Sequence, residues 1–163
     1  MDERLYKSSD GTPVHAIKAA GTDTLQIVAK ITLDQDTAVN YKVAVCEVPS
    51  NFVIVGGSLE MDGAATGNVD LGLFETEEHG DTEIDGDMFI DNQDVTTAGS
   101  TSVLSNVALA DQDKTIYELA NKVATFDYGS ASRQAFVLGL TVKTMIQAAD
   151  SVSILRVNLA RKS

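Results

Sequence analysis

The chain predicts an all-β fold: a two-sheet antiparallel sandwich, jelly-roll-like, with one short helix near residues 113–122. Three observations lead there. Apolar residues recur at every second position in one run after another, the period of strands with one face in a core. Clusters of Gly, Pro, Asn, Asp and Ser separate those runs. One stretch alone changes to helical spacing, and nothing alternates strand with helix in the way a parallel sheet requires.

The first strong run is LQIVAKITL, where Leu25, Ile27, Ala29, Ile31 and Leu33 share a face and Gln26, Lys30 and Thr32 take the other. DQD at 34–36 turns the chain. VNYKVAV follows, with Val39, Tyr41, Val43 and Val45 in phase, and PSN at 49–51 closes it. FVIVGGSLEM is next; Gly56-Gly57 inside a strand predicts a bulge or bend. After DGAATGN at 62–68 comes VDLGLF, with Val69, Leu71 and Leu73 alternating against Asp70 and Gly72. TTAGSTS at 96–102 and DYGSAS at 127–132 read as turns. Between those two, ADQDKTIYELANKV places Ile116, Leu119, Ala120 and Val123 at helical spacing, with Asp111 or Asp113 as the expected N-cap. Two final strands are AFVLGLTVK, carrying Phe136, Leu138, Leu140 and Val142, and SVSILRVNLA, carrying Leu155, Val157 and Leu159.

A chain of 163 residues suits one domain with a core of its own. A jelly roll absorbs about eight strands in that length. An immunoglobulin-like sandwich, usually about 100 residues, would need long insertions. Residues 1–22 are polar and mixed in charge, and read as a flexible N-terminal segment or docking arm. Residues 23–163 are expected to form a single β-sandwich domain.

Charge narrows the partners. The net charge of −12 would repel phosphate, which argues against nucleic acid. No run approaches the ~20 apolar residues that span a bilayer, so no membrane partner is expected, and the start lacks the apolar core of a signal peptide. All twelve Lys and Arg lie outside residues 43–113, where acids accumulate. Such a layout reads either as chance and solvated faces or as an acidic end that would orient the molecule on a partner.

The densest acidity is GNVDLGLFETEEHGDTEIDGDMFIDNQDV, residues 67–95, with ten carboxylates and no Lys or Arg. Three readings compete. Asp81, Glu83, Asp85 and Asp87, with Gly86 at the turn position, match the first half of a calcium loop. Glu83 is longer than that pattern asks, and Asn92 stands where a bidentate glutamate belongs. Oxygen ligands alone would select calcium or magnesium, and a calcium-dependent binding module is the alternative function. His79 beside Glu78 has no second histidine near it in sequence.

Catalysis is the second reading, and the sequence offers little for it. There is no G-x-S-x-G, no H-E-x-x-H and no dinucleotide fingerprint, and DGAATGN lacks the lysine of a phosphate loop. Cys46, the one cysteine, sits in the alternating run VAVCEV and reads as a small buried residue, not a nucleophile. No catalytic residues and no cofactor beyond the calcium candidate are expected. The third reading is a solvated, self-repelling loop, anchored to the sandwich by Met88, Phe89 and Ile90 or forming a short strand there.

Four stretches in order resemble the capsid decoration, or cement, proteins of tailed bacteriophages and related small virion proteins. They are KVAVCEVPSNFVIVGGSLEM; NVDLGLF with the acidic DGDMFID; KTIYELA; and the pair QAFVLGLTVK and SVSILRVNLA. The resemblance implies a jelly-roll-like sandwich without chemistry, self-association as a homotrimer, and the major capsid protein as partner. It also implies a place on the capsid exterior of a virion assembled in the host cytoplasm.

Overall fold

The computed structural model describes residues 15–18, 24–123 and 135–162. Among the described residues nine strands run β1 (His15–Lys18), β2 (Thr24–Leu33), β3 (Lys42–Pro49), β4 (Phe52–Met61), β5 (Thr66–Phe74), β6 (Glu83–Asp94), β7 (Gly99–Ser102), β8 (Ala135–Gln147) and β9 (Ser151–Arg161). One α-helix, α1, spans Ile116–Val123, and two short 3₁₀ turns lie at Glu77–His79 and Leu109–Asp111. None of these helices is long and apolar enough to cross a membrane.

The strands form two antiparallel sheets, one ordered β1-β2-β9-β4-β7 and the other β3-β8-β5-β6. Strand pairs β2–β9, β3–β8, β4–β7 and β5–β6 match the first half of the chain to the second, as in one long hairpin rolled up. Pairs β4–β9 and β5–β8 then close the roll within each sheet. This is jelly-roll order, with β1 added along β2.

The alternating runs explain the core. Ile27, Ala29, Ile31 and Leu33 of β2, and Leu155, Val157 and Leu159 of β9, bury against Val69, Leu71 and Leu73 of β5 and Phe136, Leu138, Leu140 and Val142 of β8. Gly56-Gly57 makes the expected bulge: the β4–β9 register shifts between Ile54 and Gly56. Gly57 has φ of 135°, and a Cβ there would stand 2.1 Å from the Arg156 carbonyl oxygen.

Several expectations need correction. The helix is not capped by Asp111 or Asp113. Thr115 caps it: the Glu118 N–H donates to Thr115 Oγ1 at 3.1 Å, and the Thr115 N–H donates to Glu118 Oε2 at 2.7 Å. This is a reciprocal capping box written T-I-Y-E. Asp111 instead ends a 3₁₀ turn and pairs with Lys122. Ile116, Leu119 and Ala120 are buried as expected, whereas Val123 is exposed. Val39 and Tyr41 are also exposed and precede β3 instead of opening it. The turn signal at 96–102 contains β7, and the one at 62–68 runs into β5.

The largest difference is the acidic stretch. It is no extended loop: Glu83–Asp94 is a twelve-residue edge strand. Met88, Phe89 and Ile90 supply buried side chains, enough to hold the segment against β5. Of the expected arm at 1–22, His15–Lys18 pairs with β2, and the rest lies outside the described residues. So does the turn expected at 127–132.

Candidate functional site

The sheet β3-β8-β5-β6 turns one face to the core, and chemistry gathers on the other. Since Val43, Val69, Leu140 and Val142 point inward, their neighbours Lys42, Asp70 and Thr141 point outward. Register makes those three one row: Thr141 is the cross-strand partner of both Lys42 and Asp70. The next row is Ala44, Gly139 and Gly72. Beyond it, the Phe74 ring lies over Gly139, where a Cβ would meet it at 2.7 Å. Ala44, Phe74 and Val137 form a small second apolar cluster there, fully buried.

Strand β6 folds over this face. Between the pairs Leu71–Ile90 and Leu73–Asp85, Gly72 alone opposes Gly86, Asp87, Met88 and Phe89. The surplus forms a bulge that crosses above Gly72, where a Cβ would stand 2.3 Å from the Asp85 and Gly86 carbonyl oxygens. Asn106 pins the bulge from outside: its Nδ2 donates to the Asp87 carbonyl at 2.7 Å and its N–H to the Phe89 carbonyl at 3.0 Å.

A cleft of about 640 Å³ results, bounded by Lys42, Asp70, Asp85, Asp87, Thr141 and Lys143 among others. Its charges divide into two kinds. Lys143 Nζ lies 3.3 Å from Asp70, whose carboxylate is nearly buried and also accepts the Asn92 N–H at 2.7 Å. The hydrogen bond to Asp70, then the Asp70 charge, raises the Lys143 pKa. Lys42 pairs with Glu83 and sits 5.6 Å from the Phe74 ring centroid. Asp85 and Asp87 form no salt bridge among the described residues, and the Asp87 charge also acts on Lys143. Asp85 Oδ1 accepts the Asp87 N–H at 3.3 Å. Burial, a hydrogen bond to the Asp87 carboxyl, and the Asp87 and Glu83 charges push Asp85 up to about 6, against the lowering effect of the Asp87 N–H. On the floor, Thr141 Oγ1 is buried with no hydrogen-bond partner.

Of the four calcium candidates, the structure brings Asp85 and Asp87 together on the bulge. Glu83 starts β6 and engages Lys42, and Asp81 lies in the turn before the strand, at φ of 55°. Gly86 is not among the residues of positive φ. Among the described residues, no three His, Cys, Asp or Glu side chains form a set that could hold a metal ion. Cys46 is buried in the core, and burial, then the Glu47 charge, pushes its thiol up to about 12, which makes it unreactive.

Sequence reasoning missed Asp70, Thr141 and Lys143. One signal pointed to the first: Asp70, Gly72 and Phe74 share a face, and a glycine in that register marks close approach by another backbone. Nothing local joins Asp70 to Lys143, because only the pairing of β5 with β8 does. Chemically, the cleft can hold a polar or cationic group. Its lining includes no histidine or cysteine that would activate a nucleophile.

The fold is similar to that of chains in two solved structures. A chain in the capsid of Ralstonia phage GP4 matches with a TM-score of 0.57 at 16% identity, over 91% of this chain and 92% of that one. A chain in the capsid asymmetric unit of cyanophage Pam1 matches with a TM-score of 0.56 at 13% identity, over 98% of this chain and 99% of that one. No protein-family model matches the sequence, and no curated protein matches it.

Proposed function

We propose that this chain is a non-enzymatic structural protein of a phage virion, bound to the outside of the capsid shell as a decoration, or cement, protein. In this reading it associates as a homotrimer and contacts the major capsid protein. The observation that carries it is the shared jelly-roll path over nine-tenths or more of both chains in two phage capsid structures. The physical design supports it. Edge strands β1 and β7 have four residues each, and β6 is bulged and acidic, three devices that discourage strand addition. Three of the four sheet edges are blunted in this way, and the eight-residue edge β3 is the fourth. Light scattering of the purified chain should give a trimer, and the chain should co-sediment with capsid shells of the phage that encodes it. A strict monomer that leaves the shells untouched overturns the reading.

A further inference from the structure

We infer that the cleft over Gly72 is a receptor for one arginine side chain presented by a neighbouring protein subunit. The inference stands on the cleft itself and holds whether or not the neighbour belongs to a capsid.

Lys143 is committed to Asp70 and Lys42 to Glu83, so those four groups neutralise one another in place. Asp85 and Asp87 remain without a salt bridge among the described residues, although Lys143, bonded to Asp70, also feels the Asp87 charge. Removing carboxylates from water without a counter-charge is costly, and the strain shows as the raised affinity of Asp85 for a proton. Next comes the floor. Thr141, a buried residue whose Oγ1 has no hydrogen bond of its own, lines the same cleft. Two carboxylates above and a hydroxyl below ask for a cation with several donors pointing in different directions.

A guanidinium fits that demand. Its planar fork offers five N–H donors, engages a carboxylate with two of them, and is weakly hydrated enough to enter a cleft. An ammonium offers three donors from one point and holds its water more strongly. A divalent metal would need a further oxygen shell, whereas no three acidic, His or Cys side chains among the described residues form a set that could hold a metal ion. The charge of the lining agrees: Asp70, Glu83, Asp85 and Asp87 outnumber Lys42 and Lys143. A basic partner group is drawn to that side.

The test uses the full chain, labelled for amide NMR, titrated at pH 7 with three probes: the blocked tripeptide Gly-Arg-Gly, its citrulline counterpart and calcium chloride. The arginine peptide should shift the amides of Asp85, Gly86, Asp87 and Thr141 saturably. The citrulline peptide, equal in shape and uncharged, should bind about tenfold more weakly or worse. Asp85→Asn/Asp87→Asn should lose the response while keeping a folded spectrum. Thr141→Val should weaken it several-fold without abolishing it.

Acidity supplies a second readout. Lys42 on β3, Asp70 on β5, Glu83 and Asp87 on β6, and Lys143 on β8 are the charged groups that line the cleft with Asp85. Binding should weaken as the pH falls through about 6, when Asp85 takes up its proton. Equal response to arginine and citrulline, no response to arginine at millimolar peptide, or displacement of arginine by millimolar calcium would each overturn the proposal. The last would make the cleft a metal site.

Discussion

Gly72 lies directly beneath the backbone of Gly86: a Cβ on the former would stand 2.3 Å from the carbonyl carbon and oxygen of the latter. One missing side chain therefore allows β6 to cross the outer face of β5 and build the cleft. Gly72→Ala must push the bulge away, and no flexible side chain is available to give, because the obstructing atoms are backbone. The expected loss is about 3 kcal/mol or more. Gly86→Ala is the control. Its Cβ would meet the end of the Glu83 side chain at 3.0 Å, a group that can swing aside. Urea titration should move the midpoint strongly for the first variant and little for the second, with the slope unchanged.

The core and the acidic surface should respond in opposite ways. Leu138 and Ile31 are fully buried, one in each sheet, and either replaced by Ala should cost about 2–5 kcal/mol. Glu77 and Glu78 are exposed on a 3₁₀ turn that buries none of its residues. Replacing both by Gln should change stability by no more than about 0.5 kcal/mol. Thermal melts of the three variants check the ranking. If the glutamine variant unfolds first, the acids are structural and the sandwich is held by something other than its apolar layers.

At the helix, Thr115 and Glu118 satisfy each other's backbone groups, and Glu118 also reaches Lys162 at 3.0 Å. The Thr115 N–H, then Lys162, lowers the Glu118 pKa. Thr115→Ala should destabilise by about 1 kcal/mol, whereas Asp113→Ala, the cap expected from sequence, should have almost no effect. Denaturant melts of the two variants separate them. The Lys162 contact is exposed on both sides and adds little.

What the sequence revealed and what it hid divide along one physical line. Alternation in β2, β8 and β9 is local, and burial on one face leaves its mark every second residue, so those strands and most of the core were legible. The T-x-x-E box at Thr115 was equally local and was passed over because two aspartates lay upstream. The acidic stretch misled for another reason. An edge strand with three register shifts never keeps period two for long, so β6 showed composition without pattern. The cleft was illegible because its row, Lys42–Thr141–Asp70, joins three strands far apart in the chain, and no window along the sequence contains them.

Asp85 gives the fold a pH dependence whose sign can be worked out. Its carboxyl titrates near the ordinary 3.8 when the chain is unfolded and near about 6 when folded. Between those values the native state binds more protons, so its contribution to stability is complete below the lower value and lost as pH rises through the upper one. Asp94 and Glu118, both lowered, act in the opposite sense at more acidic pH. The variant Asp85→Asn isolates the group. Its stability relative to the parent should rise as pH increases from about 4 to about 7 and then level off. Chemical denaturation of both proteins across that range measures the difference. A flat difference would mean that Asp85 is solvated and titrates normally, and that the bulge over Gly72 does not hold its carboxyl against Asp87.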